Sequence, residues 1–294
     1  MTFLTTLWQT YQDIAFIIFN IIIILIIGNL GIWIITKVKS RFFNPVYNKY
    51  PNNNYNKVYP DLEENSIKQL LKETWSRPCI YEPFTQFKER PFSGNYVNVD
   101  KQGFRITKNQ GSWPPQPDKL NIFLFGGGTT FGYGVKDDQT IASYLQEILE
   151  NEVNHAVRIY NFARGYYYST QERILLEHLL ISGFTPHIAL FIHGLNEFYY
   201  RYHNDRPFYT SRFEQVTSDR RNENLLKNFP INRLLISGKN IVGRSYNRKQ
   251  RNYNNKTKYK NKHLIDKSIN RYLNNKRIID TVTTTFSTFP VFVW

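Results

Sequence analysis

The chain has 294 residues and a single cysteine, Cys79, so it is long enough for one sizeable domain plus an anchor, and an intramolecular disulfide or a zinc cluster is excluded. Its net charge of +15 is unevenly spread, because residues 244–277 contain twelve Lys or Arg and one acid, Asp266. The rest of the chain is only mildly basic, so the positive charge is a local feature of this segment.

The first predicted element is a long apolar segment near the N-terminus. Ile14–Ile35 is a run of 22 residues without a charge. A helix of this length spans about 33 Å, and the hydrocarbon core of a bilayer is about 30 Å thick. A signal peptide normally begins with basic residues and has a shorter apolar core, whereas no Lys or Arg precedes this run. We therefore predict a retained transmembrane anchor over residues 1–40.

The charges around this anchor bear on its orientation. Four basic residues follow it closely: Lys37, Lys39, Arg41 and Lys49. The positive-inside rule then favours a cytoplasmic location for the rest of the chain. Residues 41–75 are predicted to be a juxtamembrane linker rich in Asn, Tyr and Pro, ending in a short helix over Asp61–Trp75.

Beyond residue 118, short apolar segments alternate with amphipathic ones. Strands are predicted over Leu120–Phe125, Val157–Tyr160, His187–Ile192 and Pro290–Trp294. Helices are predicted over Asp138–Glu150, Ser169–Ser182 and residues 268–286. The first of these helices has an apolar face made of Ile141, Tyr144, Leu145, Ile148 and Leu149. This alternation predicts an α/β fold with three layers, in which helices cover both faces of a parallel sheet.

Three loops follow the first three strands, and ligands bind at the carboxyl ends of such strands. These loops are Gly126–Val135, Asn161–Glu172 and His193–Phe198. The first loop is rich in glycine, but Tyr133 and Gly134 stand where a Walker A loop needs Lys and Ser or Thr. Phe131 stands where a dinucleotide fingerprint needs glycine, so the sequence argues against a phosphate site.

The same loops resemble three sequence blocks of the SGNH (GDSL-type) hydrolases. FGGGTTFGYGV resembles block I of bacterial forms that have FGGSTTFGYGV, NFARGYYYSTQE resembles block II, and GLNE resembles block III. The resemblance covers residues 76–294 and implies an SGNH/flavodoxin-like fold. It also implies an enzyme activity, the hydrolysis of ester bonds, that needs no cofactor or metal. It further implies an acylated carbohydrate or another ester as the ligand. The other expected partner is the membrane, because of the apolar segment Ile14–Ile35.

The resemblance assigns roles to individual positions. The nucleophilic serine position is Gly128, so the nucleophile is absent. Asn196 matches the oxyanion-binding asparagine, and Gly165 matches the oxyanion-binding glycine, although the spacing also allows Tyr166. The Asp-x-x-His segment that supplies the base does not occur in the sequence, which leaves His193 as a substitute base.

Several interpretations remain open at this point. The chain is expected to be an inactive hydrolase, incomplete at its C-terminus because it ends within the fourth strand. Alternatives are an esterase that uses unusual residues, such as the hydroxyl of Thr129 or Thr130, and a non-catalytic protein that binds a glycan or acyl ligand. The membrane side also stays open, because the charge bias conflicts with the resemblance to bacterial envelope enzymes.

The basic segment around 244–262 interleaves Lys and Arg with Asn and Tyr. Cations and stacked aromatic rings are features of single-stranded nucleic-acid binding. A solvated insertion before the last helix explains the same composition more simply. We therefore expect nucleic acid not to be a partner.

Overall fold

The computed structural model describes residues 2–42, 55–153, 155–199 and 262–294. Helix α1 (Thr2–Phe42) belongs to one compact unit, and the sheet belongs to another. The part of α1 from Phe3 to Ile35 is long and apolar enough to cross a membrane, a test of length and composition that a signal sequence also passes. The predicted span Ile14–Ile35 lies within this helix, which begins earlier than expected.

The second unit begins with small elements. They are helix α2 (Tyr55–Val58), helix α3 (Glu64–Trp75) and four short strands, β1 (Ile80–Glu82), β2 (Gln86–Lys88), β3 (Phe92–Ser93) and β4 (Asn98–Val99). Strands β1 and β2 form an antiparallel pair, as do β3 and β4. The sequence predicted α3, but it did not predict the β1–β2 pair.

A parallel sheet forms the centre of this unit. Its strands are β5 (Leu120–Gly126), β6 (Val157–Asn161), β7 (Ile188–Ile192) and β8 (Phe289–Val293). They lie in the order β6-β5-β7-β8, and every neighbouring pair is parallel. The four predicted strands are therefore confirmed. Since β5 lies between the strands that follow it in sequence, the chain reverses its winding direction there, where open sheets of this type form a ligand crevice.

Helices cover both faces of the sheet. They are α4 (Gly128–Phe131), α5 (Ile141–Glu152), α6 (Ser169–Ile181), α7 (Leu195–Tyr199) and α8 (Lys262–Thr285). Alternate residues of β5 point to opposite faces. Ile122 and Leu124 pack with residues of α5, whereas Phe123 and Phe125 pack with residues of α6 and α8. This arrangement is the predicted three-layer α/β architecture.

Helix α5 buries only part of the predicted face. Leu145 and Leu149 pack against the core, but Tyr144 and Ile148 are more than half exposed. The fully buried residues of the helix are Ala142, Ser143 and Gln146. Gln146 is tolerated there because its amide bonds to the backbone: Nε2 donates to Asn109 O (2.9 Å), and Oε1 accepts from Ile159 N (3.0 Å). The helix begins where Thr140 accepts a hydrogen bond from Ser143 N.

Parts of the predicted organisation lie outside the described residues. These are residues 43–54 of the predicted linker and nearly all of the basic segment around 244–262. The expectation of an incomplete C-terminus stays a prediction.

Candidate functional site

The loops after β5, β6 and β7 meet at the carboxyl edge of the sheet. The loop after β6 is joined to β5 by Arg164 N, which donates to Gly126 O at 3.0 Å. A Cβ atom placed on Gly128 would lie 3.9 Å from Gly165 Cα. The positions that match the nucleophile and one oxyanion donor are therefore adjacent.

Tyr133 covers both of these glycines. A Cβ atom on Gly128 would lie only 2.9 Å from Tyr133 Cδ2, and a Cβ atom on Gly165 would overlap the Tyr133 hydroxyl and ring. A separation below 3.0 Å means that the ring must move before either glycine can carry a side chain. Gly132, with φ +90°, ends α4 in the left-handed conformation and brings the chain to Tyr133.

Glu89 lies behind Tyr133 and binds the predicted oxyanion donor. The Tyr133 hydroxyl donates to Glu89 Oε1, and Gly165 N donates to the same oxygen at 3.3 Å. Arg77 Nη1 lies 3.8 Å from the other carboxylate oxygen. Burial and the Glu89 charge hold the pKa of Tyr133 well above its ordinary value, so the hydroxyl keeps its proton. A carboxylate of the chain itself thus accepts from the N–H that the resemblance assigns to a substrate oxyanion.

Asn196 lies in α7, next to the glycines of the first loop. Its Nδ2 donates to Tyr167 O at 2.7 Å and lies close to Gly127. One N–H of the amide is therefore used within the protein. The residue also borders the cleft described below.

His193 follows β7 and is enclosed by aromatic rings. Phe191 and Phe292 are stacked with its ring at centroid distances of 5.6 and 6.1 Å, and they lie on the same side of it because their own centroids are 5.3 Å apart; Tyr272 meets it edge-on. Its Nε2 lies 2.8 Å from Glu172 Oε2, and these two side chains are 1% and 2% exposed. The contact becomes an ion pair when His193 is protonated. Sequence reasoning singled out His193 but not Glu172.

The His193 environment predicts a pH dependence of stability. Burial lowers the pKa of His193, but the charges of Glu172 and Glu197 outweigh burial and the opposing charge of Lys276, so the pKa is raised. A raised folded-state pKa stabilises the fold fully below the unfolded value of about 6.5, and this contribution is lost as the pH rises through the folded value. We expect the urea midpoint of the full chain to fall between pH 6 and pH 9, and His193→Gln to fall less. Equal falls in both proteins would contradict this assignment.

Glu197 contacts two other helices from its position in α7. Its carboxylate accepts from Ser169 N (2.5 Å) and Ser169 Oγ (3.0 Å) in α6. Arg271 of α8 donates to its carbonyl oxygen at 2.8 Å. Burial raises the pKa of Glu197, and the Ser169 hydrogen bond and the Arg271 charge offset this only in part. Glu197 therefore links α7 to α6 and α8 through these hydrogen bonds.

Two cavities border these residues. The larger, about 530 Å³, is an open cleft lined by Trp75, Gly128, Thr129, Gly132, Tyr133, Val135, Gln139, Ile141, Tyr166 and Asn196. The smaller, about 230 Å³, is lined by Gly128, Thr129 and Asn196 as well as by Glu172, His193 and Glu197, so His193 borders the same space as the nucleophile position. Within the described ranges, no group of three or more His, Cys, Asp or Glu residues is placed to hold a metal ion.

The known proteins that this chain is similar to are solved structures. No protein-family model and no curated protein matches the sequence. The crystal structure of AlinE4, an SGNH-hydrolase family esterase, is 18% identical over 39% of this chain and 58% of its own, with a TM-score of 0.26. Two mutants of esterase AlinE4 are each 20% identical over 29% of this chain and 44% of theirs, again with a TM-score of 0.26. The chain thus spans less than two thirds of the length of these solved esterases.

Proposed function

We propose that this chain is a membrane-anchored, SGNH-like protein that binds a ligand in its cleft and does not hydrolyse esters. The observation that carries the proposal is Gly128, which places no side chain at the position that matches the nucleophile. The Tyr133 ring lies against Gly128 and Gly165, the position that matches an oxyanion donor. Because FGGSTTFGYGV has the same tyrosine, the missing side chain at Gly128, and not the ring, separates this chain from that pattern.

The polar groups of the site support the same conclusion. Oxyanion donors accelerate a reaction when they point to the place where negative charge develops. Here Gly165 N donates to Glu89, and one N–H of Asn196 donates to Tyr167 O. The Gly165 N–H and one N–H of Asn196 are thus engaged within the protein.

A nucleophile and its base are the remaining requirements. Gly128 has no side chain, and a hydroxyl at Thr129 would need a base to take its proton. His193 packs against Phe191 and Phe292, is 1% exposed and is paired with Glu172, which favours a structural role for it. Losing the nucleophile or the base of a serine protease costs about a million-fold in turnover.

The wider organisation belongs to this proposal. Residues 1–40 anchor the chain in a membrane, residues 41–75 link the anchor to the domain, and residues 76–294 form the domain. The proposed partners are the membrane and a carbohydrate or acyl ligand, and nucleic acid is not among them. The apolar composition of Phe3–Ile35 supports the anchor.

An ester-hydrolysis assay tests the proposal. With p-nitrophenyl acetate, we expect the full chain in lipid nanodiscs to match empty nanodiscs, while an active esterase in the same nanodiscs serves as positive control. Gly128→Ser, shown to fold by thermal unfolding, should remain unlabelled by a fluorophosphonate, because His193, the candidate base that borders the same cavity, is buried and paired with Glu172. Turnover by the unmodified chain that is lost in Thr129→Ala or His193→Gln would refute the proposal.

A further inference from the structure

The described residues that line the large cleft have no charged side chain. A site for a phosphorylated or carboxylated ligand normally offers Arg or Lys to the anion, and neither borders the cleft among the described residues. The wall therefore favours a ligand without charge.

Aromatic rings form one part of this wall. Trp75, at the end of α3, is 47% exposed, and its ring packs on Tyr133 with centroids 4.8 Å apart. Tyr166 also borders the cleft and has φ +70°. A bulky residue in this conformation is an outlier that other interactions must hold in place, and such strain concentrates at ligand sites. The rings offer flat apolar surface at the mouth of the cleft.

Hydrogen-bonding side chains form the other part. The Thr129 hydroxyl, the Gln139 amide and the Asn196 amide all border the same space. An acyl chain would bury these groups without giving them partners, which is unfavourable. A sugar ring has an apolar C–H face that packs on an aromatic ring and a rim of hydroxyls that bond to amides and hydroxyls.

We propose that this cleft binds a neutral oligosaccharide, with Trp75 as the platform under one sugar ring and Gln139 as a hydrogen-bonding partner. The inference rests on the proposed non-hydrolytic function and names its ligand class. The cleft volume of about 530 Å³ lies within the range of about 300–1,000 Å³ found for small-molecule sites.

Calorimetric titration of the full chain in lipid nanodiscs tests the inference; nanodiscs are needed because glycoside detergents would compete. The probes are neutral tetrasaccharides of glucose and of N-acetylglucosamine, a uronic-acid tetrasaccharide, dodecanoate and adenosine. We expect binding of at least one neutral tetrasaccharide and weaker or no binding of the other three. Trp75→Ala should weaken binding at least tenfold, and Gln139→Ala should weaken it several-fold.

Tyr144→Ala is the matched control, because Tyr144 is an exposed aromatic residue outside the cleft wall. Its affinity should equal that of the unmodified chain. Gln139→Ala keeps the test decisive if Trp75→Ala does not fold. Preferential binding of dodecanoate, adenosine or the uronic acid, or no binding of a neutral tetrasaccharide, would overturn the inference and leave the proposed lack of hydrolysis standing. Ester hydrolysis by the chain would instead overturn the proposed function.

Discussion

Arg105→Met is expected to lower the free energy of unfolding by about 3–5 kcal/mol, the usual cost of removing one partner from a buried ion pair. Arg105 has no exposed surface, and its Nε donates to Asp137 Oδ1 at 2.9 Å. Its other nitrogens donate to Gly132 O (2.5 Å) and Val135 O (2.7 Å). Methionine keeps much of the volume but supplies no donor, so two carbonyl oxygens lose the Arg105 donor and the Asp137 carboxylate keeps only its hydrogen bonds from Asn98.

The loss should also change the cleft, because Gly132 and Val135 form part of its wall. Denaturant unfolding of the full chain measures the stability. Arg158→Met is the matched control: Arg158 Nη1 pairs with Glu150 at 2.7 Å, but its side chain is 25% exposed. A pair near the surface contributes about 0–1 kcal/mol, so a similar loss in the two variants would contradict the role of Arg105.

Arg105 is also an example of a buried residue whose contacts could not be predicted from the sequence. It contacts residues about thirty positions further along the chain, and its own region has no helical or strand period. Glu89 is a similar case, since its partner Gly165 lies 76 residues away. A buried polar residue leaves no periodic signal, because its partners are set by tertiary structure.

The sheet was predictable for the opposite reason. Its strands are short apolar runs, and parallel pairing brings their carboxyl ends to one edge whatever the loops contain. That is why Gly128, Gly165 and Asn196 could be expected at one place before any distance was known. Their hydrogen-bond partners were not predictable, because Glu89 comes from outside the three blocks.

Helix α5 shows that hydrophobic periodicity does not fully predict which residues of a helix are buried. The pattern selected Tyr144 and Ile148 as buried residues, and both are exposed. Gln146 is buried because its amide satisfies backbone groups of two other segments. Periodicity predicted the helix correctly, but the choice of face depended on polar contacts that a hydrophobic pattern does not contain.

Tyr133→Ala and Gly165→Ala are expected to be strongly non-additive. Removing a buried aromatic side chain costs about 3–5 kcal/mol, and adding a methyl group to a filled space costs about 1–3 kcal/mol. The methyl group of Gly165→Ala would overlap Tyr133, so its cost should largely disappear once Tyr133 is alanine. Neighbouring residues that share space show interaction energies of about 0.5–3 kcal/mol.

The measurement is a double-mutant cycle by denaturant unfolding. Gly183→Ala in the same two backgrounds is a control: Gly183 has φ +83° and open space around its Cβ position, so its cost comes from the backbone and should not depend on Tyr133. If Gly165→Ala costs the same with and without Tyr133, the ring does not occupy the space in front of Gly165. The cycle therefore tests whether the Tyr133 ring closes the space beside Gly165, the position that matches an oxyanion donor.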